Sequence, residues 1–149
     1  MPYAKIKLVT DACCHIPNAH LIGRSGKGFA ACGVLVLSEF DQTLAELCQY
    51  LGEKTVPQAE YGGLIFALER ASEYSRGELE IWMDSELVVR QMNGNYALRK
   101  PHIKELYDKA KSLEGRYLGG VKYFHHPETA PLARRADQLA ESEYRRRRQ

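Results

Sequence analysis

The chain has no run of 18 apolar residues, so it offers no candidate membrane-spanning helix. Its four cysteines, Cys13, Cys14, Cys32 and Cys48, lack C-x-x-C spacing, which argues against a zinc site. Cys13 and Cys14 are adjacent, and on a strand they would face opposite ways and could not easily share a ligand. They read as small buried apolar residues in a reducing compartment, with a Cys13–Cys32 disulfide across neighbouring strands as the alternative. The opening MPYAKIKLVTDACC lacks the long apolar stretch and cleavage site of a signal peptide, so a cytoplasmic location is expected. There is no internal repeat, and no low-complexity segment apart from one arginine run. Nothing marks a second domain, and 149 residues suit a single domain over 1–149 with one core. No protein partner is implied, and a monomer is expected.

Net charge is also scarce. The formal value is +2, and Arg145–Arg148 alone contribute four positive charges, so the remainder carries −2. The basic excess is therefore a C-terminal tail, 145–149. Such a tail can hold a phosphate backbone without reading sequence, or it can be a solvated helix end that complements the helix dipole.

What is present is a regular succession of apolar patterns. Lys5–Cys14 and Gly28–Leu37 read as strands, separated by a turn-rich stretch holding Pro17, Asn18, Gly23 and Gly26. Phe40–Gly52 is ambiguous, because Leu44, Leu47, Cys48 and Leu51 fit a helical face better than a strand. A helix is expected over Pro57–Tyr74, with Tyr61, Leu64, Ile65, Leu68 and Ala71 as one stripe. Glu78–Asp84 is a short strand. Ser85 caps a helix over Glu86–Met92, Pro101 opens another, Gly119–Phe124 is a last strand, and the final helix starts at Leu132.

Four carboxylates stand at the joints of these elements: Asp11 in KLVTDACC, Glu60 in TVPQAEYGGL, Asp84 in LEIWMDSELV and Asp137 in ARRADQLAES. Brought together they would repel one another, and divalent cations are the simplest countercharge. A two-cation carboxylate site serves in-line displacement at phosphorus. Taken singly, Glu60 or Asp137 is as well read as a cap or a solvated charge. Asp11, in an otherwise apolar strand, is not.

The ordered words around these acids resemble those of the type 1 ribonuclease H family, from roughly Lys5 to Glu143. No single word is specific, but the set in this order is. The resemblance implies an α/β ribonuclease H-like fold: a mixed five-stranded sheet, its first three strands antiparallel, flanked by helices. It also makes Phe40–Gly52 the third strand. It implies an endonuclease acting on the RNA strand of RNA–DNA hybrids with Mg2+, or Mn2+ as a substitute, and leaving 5′-phosphates. Asp11 and Asp84 would then serve both cation sites, Glu60 one and Asp137 the other. The apolar pattern sets Glu60 in the first turn of its helix and Asp137 early in the last, where helix N-termini favour anionic groups. The family often carries a mobile His in the loop before its last acid. His126, slightly preferred over His125, would fill that role as a proton carrier.

Departures from the family pattern are also visible. Asp-Gly is here Asp11-Ala12, the usual Asn-Asn is Val56-Pro57, and the Asn before the last acid is Ala133. Candidate substrate contacts are Ala12, Cys13, Gln58 and Ser85 near the 2′-hydroxyl, and Arg134 and Arg135 on phosphate. The segment NGNYALRKP leaves no room for the basic handle helix of many members, so Arg99, Lys100 or the arginine tail must supply grip. The departures also motivate a second reading, a hybrid- or RNA-binding module with weak or no cleavage. A detached nuclease domain of a reverse transcriptase is a third.

Overall fold

Lys5–His15 (β1) alternates its side chains between two cores: Ile6 and Leu8 enter one, and Val9 and Cys13 the other side of the sheet. These features come from a computed structural model that describes residues 3–19, 26–95 and 100–148. Lys27–Ser38 (β2) is buried almost throughout, as its Val, Ala, Leu and Cys content suits a strand covered on both faces. Thr43–Thr55 (β3) completes an antiparallel trio with β1 and β2. Glu78–Met83 (β4) and Val121–His125 (β5) add in parallel, giving the order β3-β2-β1-β4-β5.

The helices are Val56–Ala71 (α1), Glu86–Met92 (α2), Pro101–Glu114 (α3) and Pro131–Arg148 (α4). The mixed five-stranded sheet and its flanking helices agree with the α/β class implied by the sequence. None of the described helices is long and apolar enough to cross a membrane.

β3 resolves the ambiguous segment, and its geometry explains the misleading pattern. Two register shifts against β2 leave Leu44 and Leu51 without directly opposed partners. Each β-bulge adds a residue to the strand and breaks the two-residue period. Leu44, Leu47 and Leu51 can therefore all pack against the same core at helix-like spacing.

α1 starts at a capping box. Thr55 accepts from the Gln58 N–H, and the Gln58 side chain accepts from the Thr55 N–H at 2.9 Å. Its stripe Tyr61, Leu64 and Leu68 is fully buried, worth about 1.5–3 kcal/mol for each large apolar side chain removed from water. Tyr61 donates its hydroxyl to Gln91 of α2 at 2.6 Å, and Tyr117 donates to the Leu68 carbonyl. α3 closes the same side through Ile103, Ala110 and Leu113.

The other side of the sheet is covered by α4, which offers Ala133, Ala136 and Ala140. Gly33 of β2 makes this approach possible. A Cβ there would lie 2.5 Å from the Ala136 carbonyl oxygen and 2.6 Å from the Leu139 Cβ.

The cysteine alternative is settled by strand parity. Cys13 is opposite Ala31, and Ala12 is opposite Cys32, so Cys13 and Cys32 point to opposite faces. Both are free thiols, as are Cys14 and Cys48.

The arginine tail continues α4 as helix to Arg148. Arg147 stacks 5.0 Å from the Tyr50 ring and Arg148 5.0 Å from Phe29. Gln149, at the end of the tail, lies outside the described residues, as does Arg99.

Candidate active site

The register of the sheet brings the first two acids together. Val9 of β1 pairs in parallel with Trp82 of β4. Asp11 and Asp84 each stand two residues further on, past the carboxyl ends of the pairing, where α/β sheets commonly place ligands. Both share the strand parity of Val9 and Trp82, so both belong to the α4 side. Asp137 comes from α4 on that side, and Glu60 comes from α1. All four acids line one cleft of about 560 Å3, together with Ala12, Cys13, Cys14, His15, Glu128 and Glu141.

The clustering has an electrostatic cost that is visible at Asp11. Burial, followed by the charges of Asp84 and Asp137, holds its carboxyl far above the usual carboxylate range. A hydrogen bond between the Asp11 and Asp84 carboxyls acts in the same direction, while the Ala12 N–H opposes it. Removing the Asp11 proton without adding a cation would place another negative charge among like charges.

The helix positions differ from the sequence expectation. Glu60 is the fifth residue of α1 and Asp137 the seventh of α4, and neither helix has an acid in its first turn. Helix-dipole stabilisation fades beyond the first turn, so it helps these two acids little. The donor set is nevertheless all oxygen, which suits Mg2+ or Mn2+. A cation would also offset the burial and the neighbouring charges that raise the Asp11 pKa.

His126 is placed differently from expectation. The residue is 8% exposed and its ring tilts against Trp82 at 5.9 Å between centroids, while its backbone N–H donates to the Met83 carbonyl at 3.0 Å. It borders a separate cavity of about 200 Å3 with Lys7, Val9, Trp82 and Leu132, rather than the acid cleft. Burial lowers its pKa, against the smaller opposing effect of Asp84, so it favours the neutral form. The ring of Trp82 beside it contributes to that burial. His125 is exposed at the end of β5.

The candidate substrate contacts divide in the same way. Ala12 and Cys13 line the cleft. Gln58 is engaged in the α1 capping box and borders a second cleft of about 410 Å3 between β3, α1 and α3. Ser85 is buried and caps α2 by accepting from the Val88 N–H. Arg134 is exposed on α4. Arg135 turns to β3 instead, with Thr43 at 3.1 Å and Glu46 at 3.6 Å.

Three cleft residues escaped the sequence reading: His15, Glu128 and Glu141. The signal for two of them was periodicity. His15 shares strand parity with Asp11, and Glu141 lies one helical turn after Asp137. Glu128, in a loop, carried no such signal. The Cys13 thiol beside them is pushed up to about 12, mainly by burial and then by Glu141.

Residues 22–141 match the family model described as "Reverse transcriptase-like". The chain is 36% identical over 120 residues to the "Bifunctional protein Rv2228c" of Mycobacterium tuberculosis, an alignment covering 78% of this chain and 32% of that protein. It is 33% identical over 90 residues to the "Ribonuclease HI" of Halobacterium salinarum, covering 60% of this chain and 45% of that one. It therefore spans less than half the length of these curated relatives. Among solved structures it is similar to LC11-RNase H1 in complex with an RNA/DNA hybrid. That match has a TM-score of 0.83 and 31% identity, and covers 97% of this chain and 99% of the other.

Proposed function

Since this chain belongs to the type 1 ribonuclease H family, within the reverse transcriptase-like group, we propose that it is a metal-dependent endonuclease that hydrolyses the RNA strand of RNA–DNA hybrids. The observation that carries this reading is the convergence of Asp11, Glu60, Asp84 and Asp137 on one cleft. The hybrid bound by the similar LC11 enzyme supports the substrate class.

Asp11 and Asp84 would hold both divalent ions, with Glu60 completing one set and Asp137 the other. Bound there, two such ions supply a water of lowered pKa and offset the charge that develops at phosphorus and on the leaving oxygen. Asp11 would give up its proton to solvent as a cation took its place. Glu60 would orient the attacking water; as its oxygen bonds to phosphorus the P–O3′ bond breaks and the 3′ oxygen takes a proton, leaving 3′-hydroxyl and 5′-phosphate ends.

Only the RNA strand carries a 2′-hydroxyl. The main chain at Ala12 and Cys13, beside Asp11, is the part of the cleft lining best placed to read it. Arg134, exposed on α4, is available for phosphate. His126, just before α4 and within electrostatic reach of Asp84, is the histidine proposed to carry protons as the product departs.

The test is cleavage of a hybrid in Mg2+ or Mn2+ by the wild type and Asp84→Asn, with duplex RNA and single-ribonucleotide DNA alongside. A fully active Asp84→Asn protein would falsify the assignment. A wild type that binds hybrid but never cleaves it would favour the binding-module reading. Against that reading, like charges gathered in one cleft cost a pure binder repulsion and give it nothing in return.

A further inference from the structure

Beyond the four acids, the same cleft holds a second group of donors of different chemistry. Cys13 and His15 are two residues apart on β1 and so share a face. Glu141 reaches them from α4, one turn after Asp137. The Cys13 thiol, a His15 ring nitrogen and a Glu141 carboxylate oxygen lie within 4.8 Å of one another. Among the described residues this is the one group of His, Cys, Asp and Glu donors so closely gathered.

We propose that Cys13, His15 and Glu141 form a third cation site, for a borderline transition-metal ion such as Zn2+, separate from the four-acid set. One sulfur, one imidazole nitrogen and one carboxylate oxygen are the mixed donors such ions take. Mg2+ seeks oxygen and finds a single oxygen ligand here.

The geometry is close to what a tetrahedral ion needs. His15 Nε2 sits 3.0 Å and 2.8 Å from the two Glu141 oxygens. Ligand atoms about a bound zinc stand roughly 3.3–3.8 Å apart, given bonds of about 2.0–2.3 Å. Opening the His15–Glu141 contact by about half an ångström would therefore make room for the ion, with the Cys13 thiol already within 4.8 Å of both partners. Tyr144, on the same helix as Glu141, stacks on His15 with ring centroids 3.9 Å apart and fixes the plane of the imidazole.

Three protein ligands leave a fourth position for water or a substrate oxygen. The thiol proton leaves to solvent as the ion binds. Thiolate and carboxylate then balance the divalent charge, so the Glu141 end of the cleft becomes neutral where it was acidic. C-x-x-C spacing is not required, because the strand supplies two ligands and a helix 126 residues after His15 supplies the third.

The experiment is titration of the reduced full chain with Co2+ in excess Mg2+, which keeps the four acids occupied. The expected result is a thiolate-to-cobalt charge-transfer band that Zn2+ displaces. The band should vanish in Cys13→Ser and persist in Cys14→Ser and Asp84→Asn. Glu141→Gln, a surface change that leaves the core intact, should weaken apparent Co2+ affinity by at least about tenfold, a loss that even an outer-shell partner can cause. No band in the wild type, a band surviving Cys13→Ser, or unchanged affinity in Glu141→Gln overturns the proposal. The readout is spectroscopic, so it stands or falls separately from ribonuclease activity.

Discussion

On one side of the sheet, α1 buries Tyr61, Leu64 and Leu68 against Ile6, Leu8 and Ile81, with α2 and α3 packed beyond it. On the other, α4 meets β2 through alanines and Gly33, and its exposed surface is rich in arginine. The first side is thick and apolar. The second is thin and close, and it carries Asp11, Asp84, Asp137, Cys13 and His15 near its edge. The difference separates two tasks. Large apolar side chains hold the sheet, while small ones let a polar helix approach closely enough to share a cleft with β1.

The sharpest way to break that comparison is at the acids. Asp84→Asn should lower hybrid cleavage by more than about a hundredfold, beyond what even an outer-shell partner of a metal costs, with little change in melting temperature. Leu68→Ala on the α1 side should do the opposite. It should cost about 2–5 kcal/mol of stability in denaturant titrations and leave activity per folded molecule near wild type. Equal losses of activity in the two variants would erase the division of labour.

Metal removal probes the acid cleft, which draws three of its four acids from the α4 side and Glu60 from α1. Asp11 has a raised pKa in the folded chain, so its contribution to stability is present below the ordinary carboxylate range. That contribution is lost as pH rises through the raised value. Melting temperature in chelator should therefore fall relative to that in Mg2+ as pH rises. Mg2+ at a hundred times its dissociation constant should restore about 2.7 kcal/mol. A gap between the two melting curves that does not vary with pH would contradict the assigned role of Asp11.

Gly33→Ala tests the close approach. The new methyl must displace the α4 backbone, costing about 1–3 kcal/mol. It should also lower kcat/KM by shifting Asp137, which Leu68→Ala should not do. The smallest effect is expected at Arg135→Ala. Its half-exposed contact with Glu46 at 3.6 Å is worth about 0–1 kcal/mol, read as a shift in the denaturation midpoint.

Much of this was legible in the chain. The order of elements followed from apolar period and caps, because Pro57, Ser85 and Pro101 mark helix starts by local rules. The third strand did not follow, since two bulges gave Leu44, Leu47 and Leu51 helix-like spacing. The four acids stood out through their words and order. His126 stood out too, yet a histidine in a loop looks the same in sequence whether it faces solvent or, as here, lies against Trp82. Gln58 and Arg135 were likewise taken up by local and cross-element contacts that no spacing announces.

The amino-acid order by itself determined every strand but the third, most helix boundaries and the four acidic positions, because these depend on neighbours within a few residues. The tertiary structure decided which acids and thiols meet. Strand register and helix approach set those encounters, and they join Asp11, Asp84 and Asp137, and separately Cys13, His15 and Glu141, across as many as 128 positions of chain. Period reveals which side of its own element a residue takes. It does not reveal which partner stands opposite, since that depends on the pairing of whole strands and the small residues that let α4 settle.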